Sequence, residues 1–290
     1  MGTKLAKLMI DIKEYIDGDR FESLSDFSFG DFYTNQISLD INILDRFIKN
    51  FNNKRLPLIF VNSERVVSFF NMVRDYDKDF NLISHNGDTI FNDYDVQNKP
   101  KCIKKWFGQN INSKNSDTVK SLPIGLERQF WSKKRYGTYG HKHNKIYEYS
   151  KLNVNKNKTL YINFDINTNK EKRSWIPEFF KDKGWAHIRM GGIGGNLEKY
   201  LLECKESEFI LSPNGNGLDC HRNWEMLYLG VTPVVESSVF HKEVYSDLPV
   251  LMVNNFKSID ETLFIDETNY PYNKLKFVYW ENLILNNYKK

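Results

Sequence analysis

The chain has 290 residues with a formal net charge of +4 at pH 7, and so small a cationic excess without a concentrated basic patch excludes a general nucleic-acid binder. Aromatic residues at 15% bury enough area for a real core and exclude bulk disorder, despite a mean hydropathy of -0.57. No apolar run reaches the roughly 18 residues of a membrane span, no signal-peptide pattern is present, and Cys102, Cys204 and Cys220 have neither disulfide-framework nor zinc-site spacing, so a soluble, cytoplasmic protein is expected.

In chain order, LPLIFVN (56–62) reads as a buried strand and Ser63 to Val73 as a helix with apolar residues at helical spacing. FNLISHNGD (80–88) reads as a strand entering a glycine turn, followed by short elements over 103–110 and 118–127. Residues 132–158 are rich in Lys, Asn, Tyr and Gly and lack an apolar period, which predicts a long loop or linker. Beyond it come a strand over 158–165, a helix over 172–184 ended by Gly184, and a strand over 185–192. A helix from Leu197, capped by Asn196, is followed by a strand over 208–213, a helix over 220–230 and a strand over 231–236. Strands alternating with helices predict an α/β fold with Rossmann-like parallel sheets. The expected organisation is one domain over 1–135, a linker over 136–158 and a second domain over 159–270. A C-terminal helix within 271–290 is placed to cross back to the first domain.

The segment FILSPNGNGLDCHRNWEMLYLGVTPVV (209–235) carries the chemistry. Gly215 and Gly217 lack a Cβ and let the backbone approach a ligand. The turn delivers a helix N-terminus, with free N–H groups and a favourable dipole, to the carboxyl end of the sheet. Arg222 offers a guanidinium fork to the same phosphate oxygens. Glu225, one turn from His221 and three residues from Arg222, shares their helix face and suits ribose hydroxyls. The same spacing is also that of an ordinary i,i+3 salt bridge. GGIGG (191–195) follows a strand but is out of register for a dinucleotide fingerprint. Three acidic triplets, Asp17-Gly18-Asp19, Asp75-Tyr76-Asp77 and Asp93-Tyr94-Asp95, have the form that holds a divalent metal on some sugar diphosphates, but none follows a strand of the nucleotide half. His141 and His143 read as solvated loop histidines.

SPNGNGLDCHRNWEMLYLGVTPVV resembles the donor-binding signature of exostosin-like glycosyltransferases, of the form SPxGNGxDxHRxWExLxLGxxPVV. SHNGD (84–88), WFGQN (106–110) and LPIGLE (122–127) look like acceptor-side segments of small enzymes of that kind. The resemblance implies GT-B architecture, two Rossmann-like domains with parallel sheets facing a cleft, in the short soluble form found in microbes and large viruses. It further implies an inverting transferase moving a sugar from a nucleotide sugar, with UDP as the nucleotide and UDP-xylose among the donors, to a hydroxyl of an oligosaccharide or glycoprotein glycan. Ser212, Pro213, Asn214, Gly215, Asn216, Gly217, Asp219, His221, Arg222 and Glu225 would bind the donor, Arg222 at the diphosphate and Glu225 at the ribose. No cofactor and no metal ion are expected. Asp88, then His85, are the candidates for the general base, with Glu127 third. Two other functions fit the sequence: a catalytically silent nucleotide- or glycan-binding module of this fold, and an NAD-dependent Rossmann enzyme.

Overall fold

A computed structural model describes residues 10–30, 37–264 and 270–286. The remaining parts of both expected domains and of the C-terminal helix lie outside the described residues. The chain forms two five-stranded sheets, both wholly parallel, with helices packed on them. Parallel strands are covered on both faces, which is why they appear in the sequence as unbroken apolar runs.

The first sheet contains β1 (Phe27–Ser28), β2 (Leu58–Asn62), β3 (Phe80–His85), β4 (Ile103–Gln109) and β5 (Val119–Leu122), adjacent in chain order. With right-handed crossovers, this sequential order puts the crossover helices on one face. Ile59, Val61, Leu82 and Trp106 there pack with Leu44 of helix Ile41–Asn50 and with Val66, Phe69 and Phe70 of helix Val66–Met72. The opposite face, with Leu58, Phe60, Ile83 and Phe107, belongs to a core that includes Tyr15, Ile16 and Phe21 and continues into the second half of the chain.

The second sheet contains β6 (Lys158–Ile162), β7 (Ala186–Ile188), β8 (Ser207–Leu211), β9 (Thr232–Glu236) and β10 (Leu251–Val253), in spatial order β10-β9-β8-β6-β7. The strand order reverses at β6 and β8, which are neighbours. Their carboxyl ends form a topological switch point, the place where open α/β sheets bind ligands.

The helix Phe277–Asn286 reaches back to the first half. Phe277 packs on Phe21 with ring centroids 5.2 Å apart, the Arg20 guanidinium lies 3.9 Å from the Phe277 centroid, and the Val278 amide donates to Glu14. Among the described residues no helix is long and apolar enough to cross a membrane.

Two expected elements differ. The stretch read as a loop over 132–158 contains helices Gln129–Tyr136 and His141–Ser150, bounded by left-handed Gly137 and Gly140. The inward positions of the second helix include Lys142 and His143 beside Ile146, so it has no apolar stripe. The helix expected over 172–184 is broken into Lys170–Arg173 and Ile176–Phe180, because Pro177 is accommodated only in a first turn.

Candidate functional site

At the switch point, β8 runs into Ser212–Cys220 and then into the helix His221–Leu229. The loop is held from behind. Arg173 donates to the carbonyls of Asn214 at 3.0 Å, Pro213 at 3.0 Å and Asp165 at 2.8 Å, and Asn169 donates to the Gly215 carbonyl at 2.7 Å. It is also held from the first sheet, where Asn110 Oδ1 accepts from the Leu218 and Asp219 amides at 3.2 and 3.0 Å. A Cβ on Gly217 would sit 2.5 Å from Asn110 Nδ2, whereas on Gly215 the nearest atom is 3.5 Å away. Gly217 therefore serves the seam between the two sheets, not the approach of a ligand as its residue type suggests.

Asp219 is a tie rather than a free ligand. Its carboxylate accepts from Ile124 N at 2.8 Å, Trp224 Nε1 at 3.0 Å, Cys220 N at 2.8 Å and the Tyr245 hydroxyl. The helix it precedes has no side-chain cap, in contrast to helix Leu197–Lys205, whose Asn196 caps Lys199 N. Several buried polar atoms near this start in the topology have no hydrogen-bond partner among the described residues. They are Asn163 Oδ1 after β6, Ser212 Oγ after β8, and Arg222 Nε and Asn223 Oδ1 in the first helical turn. Unpaired buried polar atoms are rare enough to require a reason, and these four belong to residues that follow the two switch-point strands or begin the helix. GGIGG instead follows β7 at the sheet edge, with left-handed Gly191, Gly192, Gly194 and Gly195 forming a turn.

A cavity of about 640 Å³ opens between the carboxyl edge of the first sheet and the start of this helix. Asn62, His85, Asn86, Gly87, Asp88, Gln109, Trp131 and His221 are among its walls. The amides are tightly ordered, with Asn62 Nδ2 donating to Asn86 O and Gln109 Nε2 to Gly87 O, both at 2.8 Å. Glu64 spends both carboxylate oxygens on the turn at 88–89. Asp88 is exposed, and its Oδ2 accepts from Asn216 Nδ2 at 3.1 Å, joining the cavity mouth to the glycine loop.

His85 is not a free base. It is buried, with Nε2 2.8 Å from the Pro123 carbonyl and Nδ1 2.8 Å from the Asn86 amide. Burial lowers its pKa and keeps it neutral. Nε2 donates to the carbonyl, so Nδ1 accepts, and an Asn86 amide turned nitrogen-first satisfies it along with the otherwise unpaired Asn86 Nδ2. Both ring nitrogens are thereby used. His221 is different: its Nδ1 lies 2.8 Å from the Gly125 carbonyl, while its Nε2 has no partner among the described residues.

Glu225 does not line the cavity. It is buried against Lys142, with Nζ 2.5 Å from Oε1, and accepts a longer bond from the Tyr200 hydroxyl at 3.4 Å. Burial raises its pKa, but the Lys142 ammonium outweighs burial and the net shift is downward. Glu127 belongs to the same buried group, paired with Arg135 at 2.8 Å and 3.8 Å from Lys142. Neither carboxylate is in position to take a proton in the cavity.

Two of the three acidic triplets have structural partners, and Asp75 and Asp77 are exposed. Asp17 caps Arg20 N and meets His143 at 3.2 Å, Asp19 pairs with Arg128, and Asp95 closes a capping box with Asn92. His143 is thus buried rather than solvated. Among the described residues no group of three His, Cys, Asp or Glu side chains is placed to hold a metal ion. The structure therefore brings together Asp88, His85 and His221 around one cavity; of the loop Ser212 to Asp219, Asn216 reaches Asp88 at its mouth, while Arg222 lies by Tyr200, Cys220 and Glu225 and is not among the cavity walls. Lys142, Arg173 and Asn110 escaped sequence reasoning because each acts through a partner far away in the chain. The chain matches no protein-family model and no curated protein.

Proposed function

We propose that the protein is a glycosyltransferase of GT-B architecture that moves a sugar from a UDP-sugar to a hydroxyl of an oligosaccharide or glycoprotein glycan. The observation that carries this reading is the switch point of the second sheet, where a glycine loop and an uncapped helix start meet residues with unpartnered buried polar atoms. A diphosphate seated there gains the free helix N–H groups, the helix dipole and the charge of Arg222. The cavity walls contributed by the first sheet are amide-rich, and helix Gln129–Tyr136 adds Trp131. That combination suits a sugar ring, which offers both hydroxyls and an apolar face.

An acceptor hydroxyl attacking from the first sheet would approach the anomeric carbon opposite the leaving diphosphate, so the product inverts. Arg222 and the helix start neutralise the departing charge, so activity should survive excess EDTA. The ribose role of Glu225 is more constrained than its residue type suggests, since two of about four acceptor sites on its carboxylate face Lys142 and Tyr200.

A thermal-shift screen of nucleoside diphosphates and their sugars tests the reading. A ligand at 100 times its dissociation constant stabilises by about 2.7 kcal/mol, so UDP and its sugars should raise the melting temperature where NAD does not. NMR of the product should show inverted anomeric configuration. Stabilisation by NAD alone, or retained configuration, would overturn it.

A further inference from the structure

The titratable groups around the cavity can be sorted by their unused lone pairs. Glu64 spends three of about four acceptor sites on the 88–89 turn, His85 spends both ring nitrogens, and Arg128 is a cation held by Asp19 and Glu22. Two acceptors are less committed. Asp88 is exposed at the mouth and already takes a bond from Asn216. His221 is half-buried in the wall, on the helix that begins at the switch point.

A carbonyl oxygen can only accept, so the 2.8 Å contact with Gly125 O fixes the proton of neutral His221 on Nδ1. The lone pair is then on Nε2, the nitrogen without a protein partner. Gly125 itself is held in place, since its left-handed backbone (φ +69) packs where a Cβ would come within 2.3 Å of the Ile16 carbonyl. The imidazole is thus oriented by a fixed carbonyl on one side and open on the other, the arrangement of a base with its orienting group. Charged and titratable neighbours are Arg222 and Glu225 on its own helix, His85 from β3, and Glu64, Asp88 and Arg128 around the cavity.

We propose that His221 Nε2 is the catalytic base of the cleft, taking the proton from the acceptor hydroxyl; this rests on the transferase reading above. The acceptor oxygen forms its bond to the anomeric carbon as the bond from that carbon to the diphosphate breaks. The diphosphate leaves with the bonding pair, and the hydroxyl proton moves to Nε2. The resulting imidazolium keeps its Nδ1–H bond to Gly125 and later releases its new proton to solvent. No further reactant is needed.

His221→Asn is the informative variant, because its amide nitrogen can keep the bond to Gly125 while the basic nitrogen is removed. The assay uses UDP-xylose, UDP-glucose, UDP-galactose and UDP-N-acetylglucosamine with a panel of oligosaccharides, alongside calorimetric UDP binding and the Asp88→Asn variant. The expected result is a fall in kcat of about 10²–10⁴-fold, with the UDP dissociation constant within twofold of wild type. Two-bond proton–nitrogen NMR on the wild-type protein should show the proton on Nδ1, a readout independent of turnover. Wild-type turnover that persists in His221→Asn but disappears in Asp88→Asn would overturn the base assignment alone. So would an Nε2–H tautomer. No turnover of any of the four donors by wild type would overturn the transferase reading and the base together.

Discussion

Replacing Lys142 by Met should destabilise the protein by about 3–5 kcal/mol, the cost of leaving one partner of a buried ion pair uncompensated. The Lys142 and Glu225 side chains are each 4% exposed, with Nζ 2.5 Å from the carboxylate. Methionine preserves the stem of the lysine, so little of the loss comes from a cavity. Glu127 keeps Arg135 at 2.8 Å, which leaves Glu225 as the orphan, its remaining hydrogen bond among the described residues being the Tyr200 hydroxyl at 3.4 Å. The sign of the pH dependence separates this account from a packing defect. In the wild type, burial raises the Glu225 pKa, but Lys142 outweighs it and the folded value lies below the usual 4.5. Its stabilisation is therefore present above pH 4.5 and lost as pH falls through the folded value. Without Lys142, burial dominates, the folded pKa rises above 4.5, and the penalty grows as pH rises from there. Urea denaturation at pH 5 and pH 7.5 should thus find the variant's deficit smaller at pH 5. Lys142 shifts the other way: burial lowers its pKa, the two carboxylates outweigh burial, and the net rise makes its contribution full below pH 10.5 and lost as pH rises from there through the folded value. A loss under about 1 kcal/mol, the worth of an exposed pair, or a deficit independent of pH, would refute the reasoning.

Gly217→Ala should cost about 1–3 kcal/mol in denaturant unfolding, through overpacking against Asn110 Nδ2 at 2.5 Å, while Gly215→Ala, with 3.5 Å of clearance, should be nearly neutral in stability. Equal costs at the two positions would refute the assignment of Gly217 to the seam. Arg222→Ala should lower kcat about a hundredfold, or about 3 kcal/mol of transition-state stabilisation, in steady-state transfer assays. Wild-type turnover in that variant would remove Arg222 from the leaving-group site.

The glycine loop and helix start were legible because they are consecutive. A strand, a turn with Gly215 and Gly217, and a helix beginning at His221 form one local unit. The polar helix His141–Ser150 was not legible: a buried lysine and histidine replace its apolar stripe, and their partners are on other elements. His85 and Asp88 were legible as neighbours of a strand end. Their chemical difference was not, because it depends on Pro123, just after β5, and on Asn216, in the loop after β8.

By itself the sequence determined two parallel α/β sheets, through apolar runs that only doubly covered strands need, and a strand–glycine loop–helix unit, through glycines before a helix start. The tertiary structure alone decided which side chain has a lone pair to use. His221 and Gly125 are 96 residues apart, and His85 and Pro123 are 38 apart. A ring nitrogen's role is set by the atom opposite it, and only folding brings that atom there.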